Sequence, residues 1–120
     1  MPLLTELKFA PIAGKPGEYE LLDDLVYDHG GGLWIAPLGF RTDLASVPRV
    51  FHWLFPPDGD YAPAAVIHDW LYIERPGDLT RKEADDAMLL VMADLGVCFG
   101  KRWLIHKAVR LGGWWYWNQH

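Results

Sequence analysis

Cys98 is the only cysteine in 120 residues, which rules out an intramolecular disulfide and any dependence on an oxidising compartment. No run is long and apolar enough to make a transmembrane segment. The opening residues, MPLLTELKFAPIAGK, lack a basic start followed by an apolar stretch, so no signal peptide is expected. Basic residues are outnumbered, 11 Lys and Arg against 16 Asp and Glu, and the net charge of −5 argues against nucleic acid as a partner. Internal repeats and low-complexity stretches are also lacking. What is abundant is apolar surface: 51% of residues, with seven tryptophans, enough for one domain, 1–120, around one core.

The stretch Tyr61 to Tyr72, YAPAAVIHDWLY, organises that core. At roughly 100° per residue its Ala, Val, Ile, Leu and Trp side chains cover nearly every direction, as in a helix buried on all sides. His68 and Asp69 are its only strongly polar side chains. Such groups need partners when they leave water.

Before this stretch the chain reads as β structure. TELKFAPI is a short strand ended by Pro11, and Ala13 to Gly17 is a turn. EYELLDDLVYD is one bent strand or two short ones, Gly30 to Gly32 a turn, and LWIAP and LGFRT two strands parted near Pro37. The spacing predicts a small antiparallel meander. His29 and the three glycines after it resemble the oxyanion loop of some esterases, but a strand–GxSxG–helix elbow is absent and a hairpin turn is the better reading. Asp43 or Ser46 can cap a short helix that runs from Pro48 to about Phe55. Pro56 to Asp60 breaks the chain.

After the central helix, Arg75 to Asp78 makes a stop. Thr80 and Glu83 form a capping box that opens a helix to Leu95. Ala84, Ala87, Met88, Val91 and Leu95 make its apolar stripe. Asp85 falls on the edge of that stripe and Asp86 points to water. Lys101 to Leu111 is a third helix with Leu104, Ile105, Ala108, Val109 and Leu111 inward and Arg102, His106 and Arg110 on the other side. Gly112 and Gly113 are expected to stop it, leaving WWYWNQH as an aromatic tail. The fold expected is therefore α+β: a small N-terminal antiparallel sheet, then about three main helices, with the buried helix 62–73 at the centre.

His68 and Tyr72 are four residues apart and share a face, and Asp85 can reach them from the next helix. A carboxylate that fixes the tautomer of a histidine and stabilises its imidazolium makes a general base. Asp69 can hold a hard cation, with Asp43 a further carboxylate from the loop after the sheet. Thr42 and Ser46 beside it are binding candidates, Ser46 more naturally a cap than a nucleophile. The alternative is a His-Asp-Tyr hydrogen-bond network that only staples two helices. No HExxH or Cys/His spacing marks a zinc site, and His52 and His106 are more naturally packed or solvated than ligating.

Two resemblances bear on these residues. HDWLY followed by KEADDAML resembles the catalytic helix pair of phospholipases A2. That resemblance implies His68 as the base that activates water, Asp69 as a calcium ligand, Asp85 as the group orienting His68, and Tyr72 as its support. PPDGDYAPAAVI is a poor version of the calcium loop of that family, and its disulfides are missing. Over most of the chain, GFRTDLASVPR, AAVIHDWLY, TRKEADDAML and KAVRLGG in that order resemble a family of small phage and prophage proteins, domain of unknown function 1353. This implies a viral source and a place in the host cytoplasm or the phage particle, without an activity.

Trp53, Trp70 and Trp103 are expected in the core. Trp114, Trp115 and Trp117 cannot all be buried by one short tail, so an interface, oligomerisation or sugar stacking is expected there. The leading expectation is a phage-derived hydrolase of an ester, amide or phosphate-type bond with a His-Asp centre, with a small-molecule, lipid or cell-envelope substrate and calcium the first candidate cation. The rival is a non-enzymatic structural, tail-accessory or host-factor-binding protein whose partner is a phage or host protein.

Overall fold

The computed structural model describes residues 3–15, 18–42 and 61–119. Asp43, Ser46 and the expected short helix with His52 and Trp53 lie outside them. Five short strands are followed by three helices, an α+β architecture. The strands are β1 (Phe9–Pro11), β2 (Tyr19–Leu21), β3 (Leu25–Asp28), β4 (Leu33–Ala36) and β5 (Arg41–Thr42), and the helices are α1 (Ala62–Glu74), α2 (Arg81–Asp94) and α3 (Phe99–Gln119).

The strands do not form the single meander expected. β3 and β4 make a hairpin with Leu25 opposite Ala36, while β2 lies between β1 and β5 in a separate three-stranded sheet, with Phe9 opposite Leu21 and Tyr19 opposite Thr42. The Asp23-Asp24 step parts β2 from β3: the Asp24 carboxylate accepts from the Leu38 amide at 2.7 Å, and its carbonyl accepts from the Thr5 hydroxyl at 3.0 Å. EYELLDDLVYD is thus two strands in two sheets. Gly30, at φ 95°, makes the hairpin turn in a region that favours glycine, and the His29 ring stacks on Trp34 with 4.4 Å between centroids.

α1 begins at Pro63's first turn with no side-chain cap bond and no acidic residue there, so burial rather than capping holds it. Ala64, Ala65, Val66, Ile67, Leu71 and Tyr72 have no exposed surface. The helix packs against β4 and against α2. It ends at Arg75, which takes the left-handed conformation (φ 47°) and returns its amide to the Leu71 carbonyl at 3.0 Å. α2 opens with the capping box: the Glu83 amide donates to Thr80 Oγ1 at 3.2 Å, and the Thr80 amide to Glu83 Oε1 at 3.0 Å. Tyr27 on β3 donates to Asp94 at the far end of α2, tying hairpin to helix.

α3 differs from its expectation. It runs through Gly112 and Gly113 to Gln119, so the aromatic tail is helix. The reason is packing. A Cβ on Gly113 would stand 2.5 Å from the Tyr72 hydroxyl, so glycine is what lets α3 close on α1. Arg75 then holds the end of α3: its Nη2 donates to the Trp117 carbonyl and its guanidinium carbon lies 3.5 Å from the Trp117 ring centroid. Two expected core residues are outside, with Leu111 80% and Trp103 50% exposed. α3 packs mainly on α2 and less on α1, which turns those residues to solvent.

Candidate functional site: a buried carboxylate between three helices

Helical phase sends the adjacent His68 and Asp69 of α1 in different directions. His68 faces α2, where its Nε2 lies 2.7 Å from Asp85 Oδ1. Asp69 faces the sheet, where its Oδ2 accepts from the Thr42 hydroxyl at the end of β5. Both are fully buried, as is Asp85, and Thr42 is nearly so. The structure thus joins Asp69 to Thr42 and, separately, His68 to Asp85. Asp43 and Ser46 belong to the undescribed segment.

Tyr72, one turn after His68, donates its hydroxyl to the same Asp85 Oδ1. Its ring meets the His68 ring at 4.3 Å and the edge of Trp117 at 5.2 Å. The other carboxylate oxygen takes two guanidiniums. Arg110 Nη1 of α3 donates to Asp85 Oδ2 at 2.8 Å, and Arg81 Nη1 of α2 at 3.4 Å. Arg81 also donates to the Val109 and Arg110 carbonyls of α3, each at 3.2 Å. One carboxylate therefore receives groups from all three helices.

Arg81 and Arg110 are absent from the sequence-based set, and Arg110 was expected on the far side of its helix. A signal existed for Arg81, which precedes Asp85 by four residues. For Arg110 the missing knowledge was how α3 rotates on α2.

Electrostatics follow from these contacts. Burial raises the cost of charging Asp85, yet hydrogen bonds from His68, Tyr72 and Arg110 outweigh it and hold the carboxyl below the ordinary aspartate range. Burial first, and then the bond to Asp85, push the Tyr72 phenol far above its usual value, so it stays protonated and donates. With Asp85 an acceptor, the His68 Nε2 carries the proton between them.

At Asp69 the carboxylate and the Thr42 hydroxyl are oxygens of the kind a hard cation such as calcium takes. Among the described residues no group of three His, Cys, Asp or Glu is placed to hold a metal, and no helix is long and apolar enough to cross a membrane.

The family model described as protein of unknown function (DUF1353) matches residues 19–109. The chain belongs to this family. The matched span holds β2 through β5, α1, α2 and the part of α3 that ends at Val109, and so includes His68, Tyr72, Arg81 and Asp85. Arg110 lies one residue beyond it. No curated protein and no solved structure matches the DUF1353 chain.

Proposed function

We propose that this DUF1353 protein is a hydrolase in which His68 activates water for attack on an ester, amide or phosphate-type bond. The observation that carries the reading is the His68 Nε2 to Asp85 Oδ1 contact at 2.7 Å, with Tyr72 on the same oxygen. In the first step the His68 ring accepts a proton from water while the oxygen of that water bonds to the carbonyl carbon or phosphorus. Asp85 keeps its charge, holds the ring and stabilises the imidazolium. The imidazolium then gives its proton to the departing group as the scissile bond breaks. Arg81, Arg110 and Tyr72 position Asp85 and keep it ionised.

The likeness to the phospholipase A2 helix pair favours lipid or cell-envelope substrates, and a phage or prophage source suits them. Calcium at Asp69 with Asp43 belongs to the same reading, and no step above depends on it. Because His68 has no exposed surface, turnover requires an opening movement.

That same burial, with donors on both oxygens of Asp85, favours a second reading: a non-enzymatic phage or host-binding protein in which the network is a core staple. One experiment separates them. Wild type, His68→Gln and Asp85→Asn are assayed on nitrophenyl acyl esters, phospholipid, a nitrophenyl phosphodiester and an anilide. Calcium or EDTA is added, below each variant's unfolding transition. The hydrolase reading expects turnover by the wild type and a fall of roughly a hundredfold or more in folded His68→Gln. An inert wild type, or activity lost only in step with stability, sinks it. Loss of turnover in EDTA supports the calcium part, and unchanged turnover removes it.

A further inference from the structure

All 16 Asp and Glu of the chain precede α3, whereas α3 carries Lys101, Arg102, Lys107 and Arg110 and no acidic residue. Trp103, Lys107, Leu111, Trp114 and Asn118 follow one another at steps of four and three, which aligns them in one stripe along the helix. The stripe is outside: Trp103 is 50%, Leu111 80% and Trp114 54% exposed, with Trp115 beside it at 58%. Phe99, also exposed, continues it at the N-terminal end. Lys107 Nζ sits 5.7 Å from the Trp103 ring centroid, and Arg102 lies 5.4 Å from that of Phe99, so the cations lie among the aromatics. Where α2 meets this end of α3, Leu89, Leu90, Ala93, Phe99 and Trp103 line an open groove of about 380 Å³, with Asp86 and Arg102 also on its wall.

We infer that the outer face of α3 binds the surface of an anionic lipid bilayer, lying in the plane of the interface. Indole rings suit the headgroup level, where one edge is apolar and the other wet. Long cationic side chains extend from an apolar face to lipid phosphates. A helix whose inner face is fixed to a protein and whose outer face is aromatic and cationic meets both needs without crossing the membrane. Charge orients it, because an anionic surface attracts α3 and repels the acidic remainder of the chain. Pairing of this face with a second copy of itself would set Lys107 and its neighbours against like charge. The groove gives a lipid chain or the edge of the interface an apolar recess beside Phe99 and Trp103.

The test is co-sedimentation of the full chain with phosphatidylglycerol vesicles and with phosphatidylcholine vesicles. Intrinsic tryptophan emission is recorded, with molar mass in solution measured alongside. The expected result is binding to the anionic vesicles, a blue shift in emission, and release in high salt. Trp114→Ser with Trp115→Ser should weaken partitioning at least about tenfold, and Lys107→Gln about fivefold. All three side chains are exposed, so the variants keep the wild-type unfolding temperature. No binding to phosphatidylglycerol, equal binding to phosphatidylcholine, or variants that bind like wild type overturn the inference. So does a lipid-free dimer that Trp114→Ser dissociates, which assigns the face to a protein partner. His68→Gln should bind vesicles like wild type, so the inference stands or falls apart from the hydrolase reading.

Discussion

Asp85 and Asp86 are neighbours on one helix and hold the same kinds of partner, yet they live in different media. Asp85 is sealed and takes His68, Tyr72, Arg81 and Arg110. The Asp86 side chain is 46% exposed, takes Lys82 at 2.7 Å and His106 at 2.9 Å, and is likewise held below the ordinary range, mainly by Lys82. His106 is only 12% exposed, more buried than its place in the sequence suggested. In water-facing geometry a carboxylate with a histidine and a cation is worth little, because solvent serves each group almost as well when they part. In the sealed geometry, parting leaves donors without acceptors and a charge without a partner. Chemistry that needs a fixed tautomer belongs to the first site.

The largest effect that would test this contrast is Asp85→Ala. It removes the acceptor that His68 and Tyr72 share in the core and leaves two guanidiniums without their carboxylate, and should cost roughly 3–5 kcal/mol in urea unfolding. A loss under about 1 kcal/mol, the range of an exposed pair, would erase the difference between the two sites. Acid should repeat it. The folded pKa of Asp85 lies below its ordinary 3.8, so its contribution is whole above about that pH and is lost as pH falls through the lower folded value. Asp85→Ala should therefore flatten the acid limb of the stability curve.

Gly113→Ala comes next, at about 1–3 kcal/mol, because the new methyl group must displace the Tyr72 hydroxyl from the space between α1 and α3. In a Tyr72→Phe background that added cost should shrink. If it does not, the close approach is not what makes Gly113 glycine. The smallest effect is Asp86→Asn, a few tenths to about 1 kcal/mol and weaker still in high salt. A larger, salt-independent loss would place Asp86 with its neighbour.

Much of the site was legible because its geometry is local. His68 and Tyr72 at a four-residue step, the capping box at Thr80 and Glu83, and the phase that separates Asp85 from Asp86 are all set within single helices. What was not legible depends on how helices meet. Gly112-Gly113 carries the signature of a helix stop, yet packing against Tyr72 keeps the helix going. Periodicity alone assigns faces to Arg110 and Leu111, and the area gained by burial puts Trp103 in the core; the rotation of α3 on α2 reverses all three.

The sequence by itself determined a buried helix with one histidine and its aspartate-bearing partner, because apolar periodicity and short connections act over a few residues. The tertiary structure alone decided that α3 delivers Arg110 to that aspartate and turns Trp103 and Leu111 outward. Those outcomes depend on one interhelical orientation, set by the steric fit at Gly113 and the hold of Arg75 on Trp117.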